Sequence, residues 1–106
     1  MRISLIAPVM AVAATMAAAG AAGTRTGDPD TGQALAQRWC TACHVVGSGD
    51  TGTDAAPAFA TLARRHGDDP GWMRAWLSRS HPRMPDLHLS RAEIEDVIAY
   101  LGTLPR

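Results

Sequence analysis

The stretch RWCTACHVVG, residues 38–47, limits the possible structures of this chain more than any other part of its sequence. It holds both cysteines of the chain, Cys40 and Cys43, and His44 follows the second one directly. Two cysteines at this spacing can close a disulfide, bind a metal ion or carry a covalently attached cofactor. A disulfide here would close a very short loop and would therefore stabilise the fold little. The rest of the sequence must show whether the two cysteines bind a metal ion or carry a covalent cofactor.

Residues 1–23 have the composition of an export signal. Apart from Arg2, no charged residue occurs before Arg25, and the apolar run between them ends in alanine and glycine. A single early positive charge, an apolar run and a small-residue end predict a secretory signal peptide. The candidate cleavage sites follow Ala19, Ala21 and Gly23. The alternative is a retained membrane anchor, because about 20 apolar residues can span a bilayer.

Residues 24–106 are expected to form one small domain. The chain has ten basic residues, all of them arginine, and ten acidic residues, so its net charge is zero. No basic run indicates a nucleic-acid partner. A domain of this size buries limited apolar surface and often needs a disulfide, a metal or another covalent restraint.

Helix signals occur at four places, and no segment alternates like a strand. Asp28 or Asp30 with Pro29, and later Asp69 with Pro70, are helix starts. The remaining predicted helices open at Pro57 and at a capping box formed by Ser90 and Glu93. These signals predict helices over residues 31–39 and 58–66. A third helix starts at Pro70 with an apolar stripe from Trp72 to Leu77, and a fourth follows Ser90 with apolar residues at helical spacing from Ile94 to Leu104. The expected fold is all-α, with three or four short helices and long loops. The apolar stripes are too few for a packed bundle, so we expect the helices to surround a group that is not protein.

The C-x-x-C-H pattern is the attachment signature of c-type haem. Two thiols three residues apart can form thioethers along one edge of the macrocycle, and His44 can then reach the iron from one face. A thioredoxin-like redox pair would need a βαβ context, which is missing here. A zinc site needs about four ligands, and the chain offers no second cysteine pair. We therefore predict one haem, held through Cys40 and Cys43.

An iron ligand opposite His44 should come from a methionine of the domain. Met73 lies in the apolar stripe of a predicted helix, where methionine usually fills the core. Met84 lies in a loop beside Pro85, where a stiff backbone can hold its sulfur against the iron, and a thioether raises the potential relative to two histidines. The rival ligands are His81 and His88. His66 is expected to end a helix, where the dipole favours a positive charge.

From about residue 30 to 104 the sequence resembles the class I bacterial cytochromes c, monohaem electron-transfer proteins. The resemblance rests on four motifs: CTACH, APAF, RMPDLHLS and LSRAEIEDVIAYL. The family also pairs a glycine of the first helix with an aromatic residue of the last, matched here by Gly32 and Tyr100. The resemblance implies that Met84 is the ligand, and that the carbonyl of Pro57 accepts a hydrogen bond from the ring of His44.

The resemblance also bears on the walls and rim of the haem site. Residues expected to line it are Phe59, Trp72, Trp76 and Leu87. Family members often ring the exposed haem edge with lysines, which this chain lacks. Arginines such as Arg38, Arg79 and Arg83 are candidates to replace those lysines or to pair with the haem propionates.

The predicted function is a periplasmic, monomeric one-electron carrier between redox protein partners, with iron held by His44 and Met84. We expect no catalysis, no nucleic-acid binding and no membrane contact unless the N-terminal segment is retained. Two alternatives stay open. One is a haem enzyme or small-ligand sensor with a displaceable sixth ligand. The other is a tightly bound haem subunit of a dehydrogenase or oxidase.

Overall fold

The computed structural model describes residues 26–47, 49, 51–79 and 83–106, and in this part of the chain it has four α-helices and no β-strand. They are α1 (Pro29–Trp39), α2 (Phe59–His66), α3 (Pro70–Leu77) and α4 (Arg91–Gly102). The expectation of an all-α fold with three or four short helices is therefore confirmed. The predicted signal peptide lies outside the described residues.

Three of the four helices begin with the side-chain caps that the sequence predicts. The carboxylates of Asp28 and Asp69 each accept backbone N–H bonds ahead of a proline in the first turn of α1 and α3. Ser90 and Glu93 form a reciprocal capping box at the start of α4. Because the first N–H groups of a helix have no partner within it, these caps determine where each helix begins.

Helix α2 begins without a side-chain cap and one residue later than predicted. Its N-cap residue is Ala58, and the backbone N–H of Phe59 donates to the carbonyl of Val45 at 2.9 Å. Pro57 therefore precedes the helix instead of opening it. Its carbonyl is turned towards the ring of His44, which is incompatible with a role inside the helix.

Helix α4 contacts the other three helices and packs most extensively against α1. The two backbones meet at Gly32, where an added Cβ would lie 1.9 Å from the carbonyl oxygen of Asp96 and 2.9 Å from the Cβ of Tyr100. The absence of a side chain at Gly32 is what permits this approach. The expected pairing of Gly32 with Tyr100 is confirmed.

The segment ahead of α1 is fixed to α4 as well. The backbone N–H of Asp28 donates to the carboxylate of Asp96 at 2.8 Å, and Asp96 is only 2% exposed. At Gly27 a Cβ would lie 1.9 Å from the carbonyl oxygen of Glu95. A buried carboxylate needs hydrogen-bond donors, so Asp96 ties the beginning of the domain to its last helix.

One hydrophobic core joins all four helices and the loop after α1. Met73 is 4% exposed within it, as its helical stripe predicts. At the surface, the guanidinium of Arg74 on α3 donates to both carboxylate oxygens of Glu95 on α4. This hydrogen bond holds the pKa of Glu95 below its usual value. The buried members of the core are Ala36, Val46, Phe59, Ala63, Met73, Val97, Tyr100, Leu101 and Leu104.

Candidate functional site

The two cysteines and His44 form a helical turn that continues from α1. The N–H of Cys40 donates to the carbonyl of Ala36 at 2.9 Å, and the N–H groups of Cys43 and His44 both donate to the carbonyl of Cys40. Residues three and four apart on a helical turn share a face. The turn therefore presents both sulfurs and the imidazole to the same side of the molecule.

The ring of His44 is held from two directions. Its Nδ1 lies 2.5 Å from the carbonyl oxygen of Pro57, and since a carbonyl only accepts, Nδ1 carries the proton. The ring of Phe59 packs edge-on against it, with centroids 5.4 Å apart and an interplanar angle of 63°. Nδ1 is therefore occupied by the hydrogen bond, and Nε2 is the ring nitrogen available to bind a metal.

The loop that supplies Pro57 is tied back onto the cysteine turn. The N–H of Ala56 donates to the carbonyl of Cys43 at 2.7 Å. Gly52 has a φ of 117°, and a Cβ there would lie 1.8 Å from the carbonyl oxygen of His44. Only glycine accommodates both that φ and that approach. The orientation of His44 thus depends on a glycine eight positions later in the chain.

A crevice of about 480 Å³ opens in front of this turn. Cys40, Cys43, His44, Pro57 and Met84, which are the five site residues predicted from the sequence, all line it. Most of the remaining wall is apolar. Its large apolar side chains are Trp39, Phe59, Leu62, Trp72, Trp76 and Leu87.

The loop between α3 and α4 brings Met84 into the crevice. Met84 is half-buried, follows Arg83, whose φ is 74°, and precedes Pro85. The other methionine among the described residues, Met73, lies in the core and not in the crevice wall. Of the two rival ligands, His88 points to solvent beside Asp86, while His81 lies outside the described residues.

Eight residues of the crevice wall were not predicted from the sequence as wall residues. The larger ones are Trp39, Leu62, Arg65 and His66, and the smaller ones are Ala42, Ala55, Ala56 and Pro85. His66 ends α2 as expected, but its ring also stacks on Trp72 with centroids 3.6 Å apart. The spacing of Leu62 and His66, four apart on α2, is a signal that would have placed both on one helical face.

The arginines divide into two groups around the crevice. Arg65 and Arg83 line it. Arg38 lies over the ring of Trp39, 5.1 Å from its centroid, and Arg79 is not part of the wall. The crevice lining contains no acidic residue in the described part of the chain.

These residues fit a haem. An apolar crevice within the usual size range of ligand sites suits a large flat macrocycle. Two thiols and one oriented imidazole stand on a single turn, and a thioether faces the same space. Burial raises the pKa of the Cys40 thiol to about 11, so the free thiol is neutral at pH 7. A second hollow, of about 420 Å³, lies between α3 and α4 and contains none of the five site residues.

No helix in the described part of the chain is long and apolar enough to cross a membrane.

Comparison with known proteins agrees with this site. Residues 27–101 match the family described as cytochrome c oxidase, cbb3-type, subunit III. The chain is 41% identical over 97 residues to cytochrome c-552 of Bradyrhizobium diazoefficiens, covering 91% of this chain and 88% of that protein. No solved structure matches the chain. The protein therefore carries one haem c, bound covalently through Cys40 and Cys43 and containing iron, and it belongs to the monohaem c-type cytochromes, electron carriers that act with redox protein partners.

Proposed function

We propose that this cytochrome is a periplasmic one-electron carrier whose haem iron is held between His44 and Met84. The observation that carries the proposal is the shared crevice. The ring of His44, held at Nδ1 by the carbonyl of Pro57, lines it, and the sulfur-bearing side chain of Met84 enters it from the loop between α3 and α4. Imidazole and thioether together are the ligand pair of cytochromes c that favours reduced iron.

Each residue has a role in this arrangement. When bound, the haem supplies one-electron chemistry through its iron. Cys40 and Cys43 anchor the macrocycle, and the carbonyl of Pro57 fixes the ring orientation of His44 and raises its basicity. The apolar wall excludes water from the iron. If His44 and Met84 both hold the iron, no position would be open for a substrate, and we expect no catalysis.

Electron exchange takes place at the haem edge near the thioethers. The carrier is a monomer that meets its donor and its acceptor in turn and binds no nucleic acid. The chain has ten basic and ten acidic residues, so its net charge exerts no strong electrostatic attraction on a partner. The local charge at the crevice comes from Arg65 and Arg83, and we expect partners to present an acidic surface to them.

Export places the protein in the periplasm. Residues 1–23 act as the signal peptide and residues 24–106 form the haem domain. The attachment of the segment at Gly27 and Asp28 to α4 supports this boundary, because the domain needs these residues. Mass spectrometry of the exported protein should show a first residue between 20 and 24 plus the mass of one haem. A mature mass that includes residues 1–19 would instead indicate a membrane anchor.

A second candidate function is a haem subunit of a terminal oxidase, favoured by the description of the matching family. The near-complete coverage of a small cytochrome c-552 favours the free carrier. Purification from membranes in mild detergent separates the two. The carrier should elute alone at the size of a monomer, whereas an oxidase subunit should elute with further haem-containing chains.

The ligand set is tested with Met84→Ala and the matched control Met73→Leu. Loss of the sulfur ligand should abolish the weak long-wavelength band of sulfur–iron(III) bonding, lower the potential and let carbon monoxide bind the reduced iron. Met73→Leu keeps the volume of a core side chain, so it should leave all three properties unchanged and cost less than about 1.5 kcal/mol of stability.

Two outcomes would contradict the proposal. Persistence of the sulfur band in Met84→Ala would exclude Met84 as the ligand. Binding of carbon monoxide by the unmutated protein at neutral pH would favour a haem enzyme or small-ligand sensor, because the iron would then open without mutation.

A further inference from the structure

A groove separate from the haem crevice lies between α3 and the beginning of α4. Its volume is about 420 Å³, which is within the size range of ligand sites. The residues that α3 contributes are spaced by one, three and four positions along one side of the helix. The lining consists of Gly71, Arg74, Ala75 and Ser78 of α3, Leu89 of the loop that follows it, and Arg91 and Ile94 of α4.

The groove and the crevice use different faces of α3. Gly71 and Ala75 line the groove, whereas Trp72 and Trp76, each one residue further along, line the crevice. Successive residues of an α-helix point in directions about 100° apart. The two sites share no lining residue among those that the structure describes, so a molecule in the groove leaves the crevice accessible.

The groove carries an excess of positive charge. Arg74 donates through Nε and Nη2 to the two carboxylate oxygens of Glu95, and this pairing fixes the orientation of its guanidinium. Glu95 is not part of the groove lining, and one carboxylate balances only one of the two arginines. The part of the lining that the structure describes contains no acidic residue.

Arg91 occupies a position where a helix favours the opposite charge. It is the first residue of α4, and the partial positive charge of a helix N-terminus disfavours a cation there. Its side chain is exposed, and its charge also acts on Glu95, whose pKa it helps to lower. The charge of Arg91 therefore does not serve the start of α4, and a carboxylate from another molecule can reach it.

One further acidic group lies at the end of the groove near the beginning of α3. An oxygen of Asp69 would lie 3.4 Å from a Cβ added at Gly71. This oxygen already accepts the backbone N–H of Trp72 at 2.8 Å, as the cap of α3. Asp69 therefore opposes an acidic ligand at that end, and the arginines favour it at the end next to α4.

The floor of the groove is apolar and elongated. Ile94 is 4% exposed, Leu89 is half-buried, and the small residues Gly71 and Ala75 leave the space above them open. From Gly71 to Ser78 the wall extends roughly 10 Å along α3, which is the length of about three residues of extended chain. A free anion would use the arginines alone, whereas an acidic segment with apolar neighbours would use the arginines and the floor.

We propose that this groove is a docking site for an acidic segment of a partner protein. An Asp or Glu carboxylate of the segment binds between Arg74 and Arg91, and an adjacent apolar side chain of the segment packs over Ile94. The cytochrome is then held by one protein while its haem crevice exchanges electrons with another. The proposal goes beyond the proposed function, because it does not depend on the ligation of the iron by His44 and Met84.

Two synthetic peptides test the groove on the haem-loaded, reduced protein. One is a blocked pentapeptide with a single glutamate between two leucines, and the other has glutamine in place of the glutamate. In proton–nitrogen NMR titrations, the glutamate peptide should shift the backbone signals of Ala75 and Ser78 and the guanidinium signal of Arg91. The glutamine peptide should bind at least about threefold more weakly, because it lacks the charge that the arginines attract. Added salt should weaken the binding of the glutamate peptide.

Three variants show whether the binding is at the groove. Arg91→Gln should weaken the glutamate peptide at least about threefold. Ala75→Glu should weaken it further, because the new carboxylate competes for the arginines, and glutamate is a good helix former. Arg64→Gln is the matched control, since it removes the same charge from an exposed position of α2 that lines neither the groove nor the crevice. It should leave the affinity unchanged.

Several results would overturn the proposal. Equal affinities of the two peptides would show that no carboxylate is recognised, and equal effects of Arg91→Gln and Arg64→Gln would show that the groove is not the site. Inorganic phosphate that shifts the same signals with the affinity of the glutamate peptide would indicate a small-anion site. Groove signals that shift with protein concentration alone would indicate a second copy of this chain.

The sulfur–iron band distinguishes failure of this proposal from failure of the ligand assignment. If the band is present and the glutamate peptide does not bind, the docking site is wrong and the ligand pair stands. If the peptide binds at the groove and the band is missing, the docking site stands and the ligand pair is wrong.

Discussion

Replacement of Tyr100 by phenylalanine removes one buried hydrogen bond and little else. The hydroxyl of Tyr100 on α4 donates to the carbonyl oxygen of Val46 at 2.6 Å. Tyr100 is 6% exposed and Val46 is 1% exposed, so water has little access to either group. Val46 follows His44 by two residues, which makes this bond a link between the last helix and the loop that carries the ligand histidine.

The expected cost can be worked from this geometry. A buried carbonyl that loses its donor costs about 1–3 kcal/mol, and phenylalanine leaves the shape of the ring unchanged. We take about 2 kcal/mol as the central value. For a domain of this size, 1 kcal/mol lowers the melting temperature by roughly 4–8 °C, so Tyr100→Phe should melt about 8–16 °C below the parent.

Thermal unfolding of the haem-loaded protein, followed by circular dichroism, measures this difference. Thr53→Ala is the matched control, because the hydroxyl of Thr53 also donates to a loop carbonyl, that of Ala42 at 3.0 Å, but at an exposed position. Water can replace that donor, so the control should lose less than about 1 kcal/mol. Equal melting temperatures for Tyr100→Phe and the parent would refute the reasoning.

The difference in stability between the parent and Tyr100→Phe should depend on pH. Burial raises the pKa of Tyr100 above the ordinary value of 10.0. Stability due to a raised pKa is fully present below the unfolded-state value and is lost as pH rises through the folded-state value. Tyr100 is the only tyrosine and the chain has no lysine. The stability gap between parent and Tyr100→Phe should therefore narrow above about pH 10.

Three further changes test the fold and its haem. Gly32→Ala should lower the free energy of unfolding in urea by about 1–3 kcal/mol, because its new Cβ meets the backbone of α4. The control Gly102→Ala should leave that free energy unchanged, because nothing lies within 4 Å of its added Cβ. Replacement of Cys40 and Cys43 by alanine should give a haem-free chain that circular dichroism shows to be largely unfolded, and a cooperative helical melt would contradict this. The hydrogen bond from Arg74 is the main cause of the lowered pKa of Glu95, so the ionised carboxylate stabilises the fold at neutral pH. Glu95→Gln should therefore be less stable than the parent in urea unfolding at pH 7, and this difference should vanish as the pH falls below about 4 and Glu95 of the parent is protonated.

The local features of this protein could be predicted from the sequence because neighbours along the chain produce them. The caps at Asp28, Asp69 and Ser90 each bond to backbone groups two or three residues away. The face shared by Cys40 and His44 follows from helical geometry alone. For the same reason, the all-α class, the positions of the four helices within a residue or two, and the attachment turn follow from the order of the residues.

Contacts between segments that are distant in the sequence could not be predicted from neighbouring residues. The bond from the ring of His44 to the carbonyl of Pro57 depends on a loop folded back through Gly52, and the family resemblance, not the spacing, suggested it. Two of the alternatives for the sixth ligand, Met84 and His88, stand four residues apart on one loop, and the third, His81, lies outside the described residues. Only its path in space turns the first into the crevice and leaves the second in solvent.

His66 shows most clearly which features follow from the local sequence and which follow from the tertiary structure. That His66 ends a helix follows from its neighbours along the chain, because Gly67 and the cap at Asp69 come directly after it. That its ring lies in the haem crevice was decided by the packing of α2 against α3, which brings it onto Trp72. Hydrogen bonds within a helix act over four residues, whereas the direction in which a helical face points depends on every element packed against it, and only the tertiary structure specifies that.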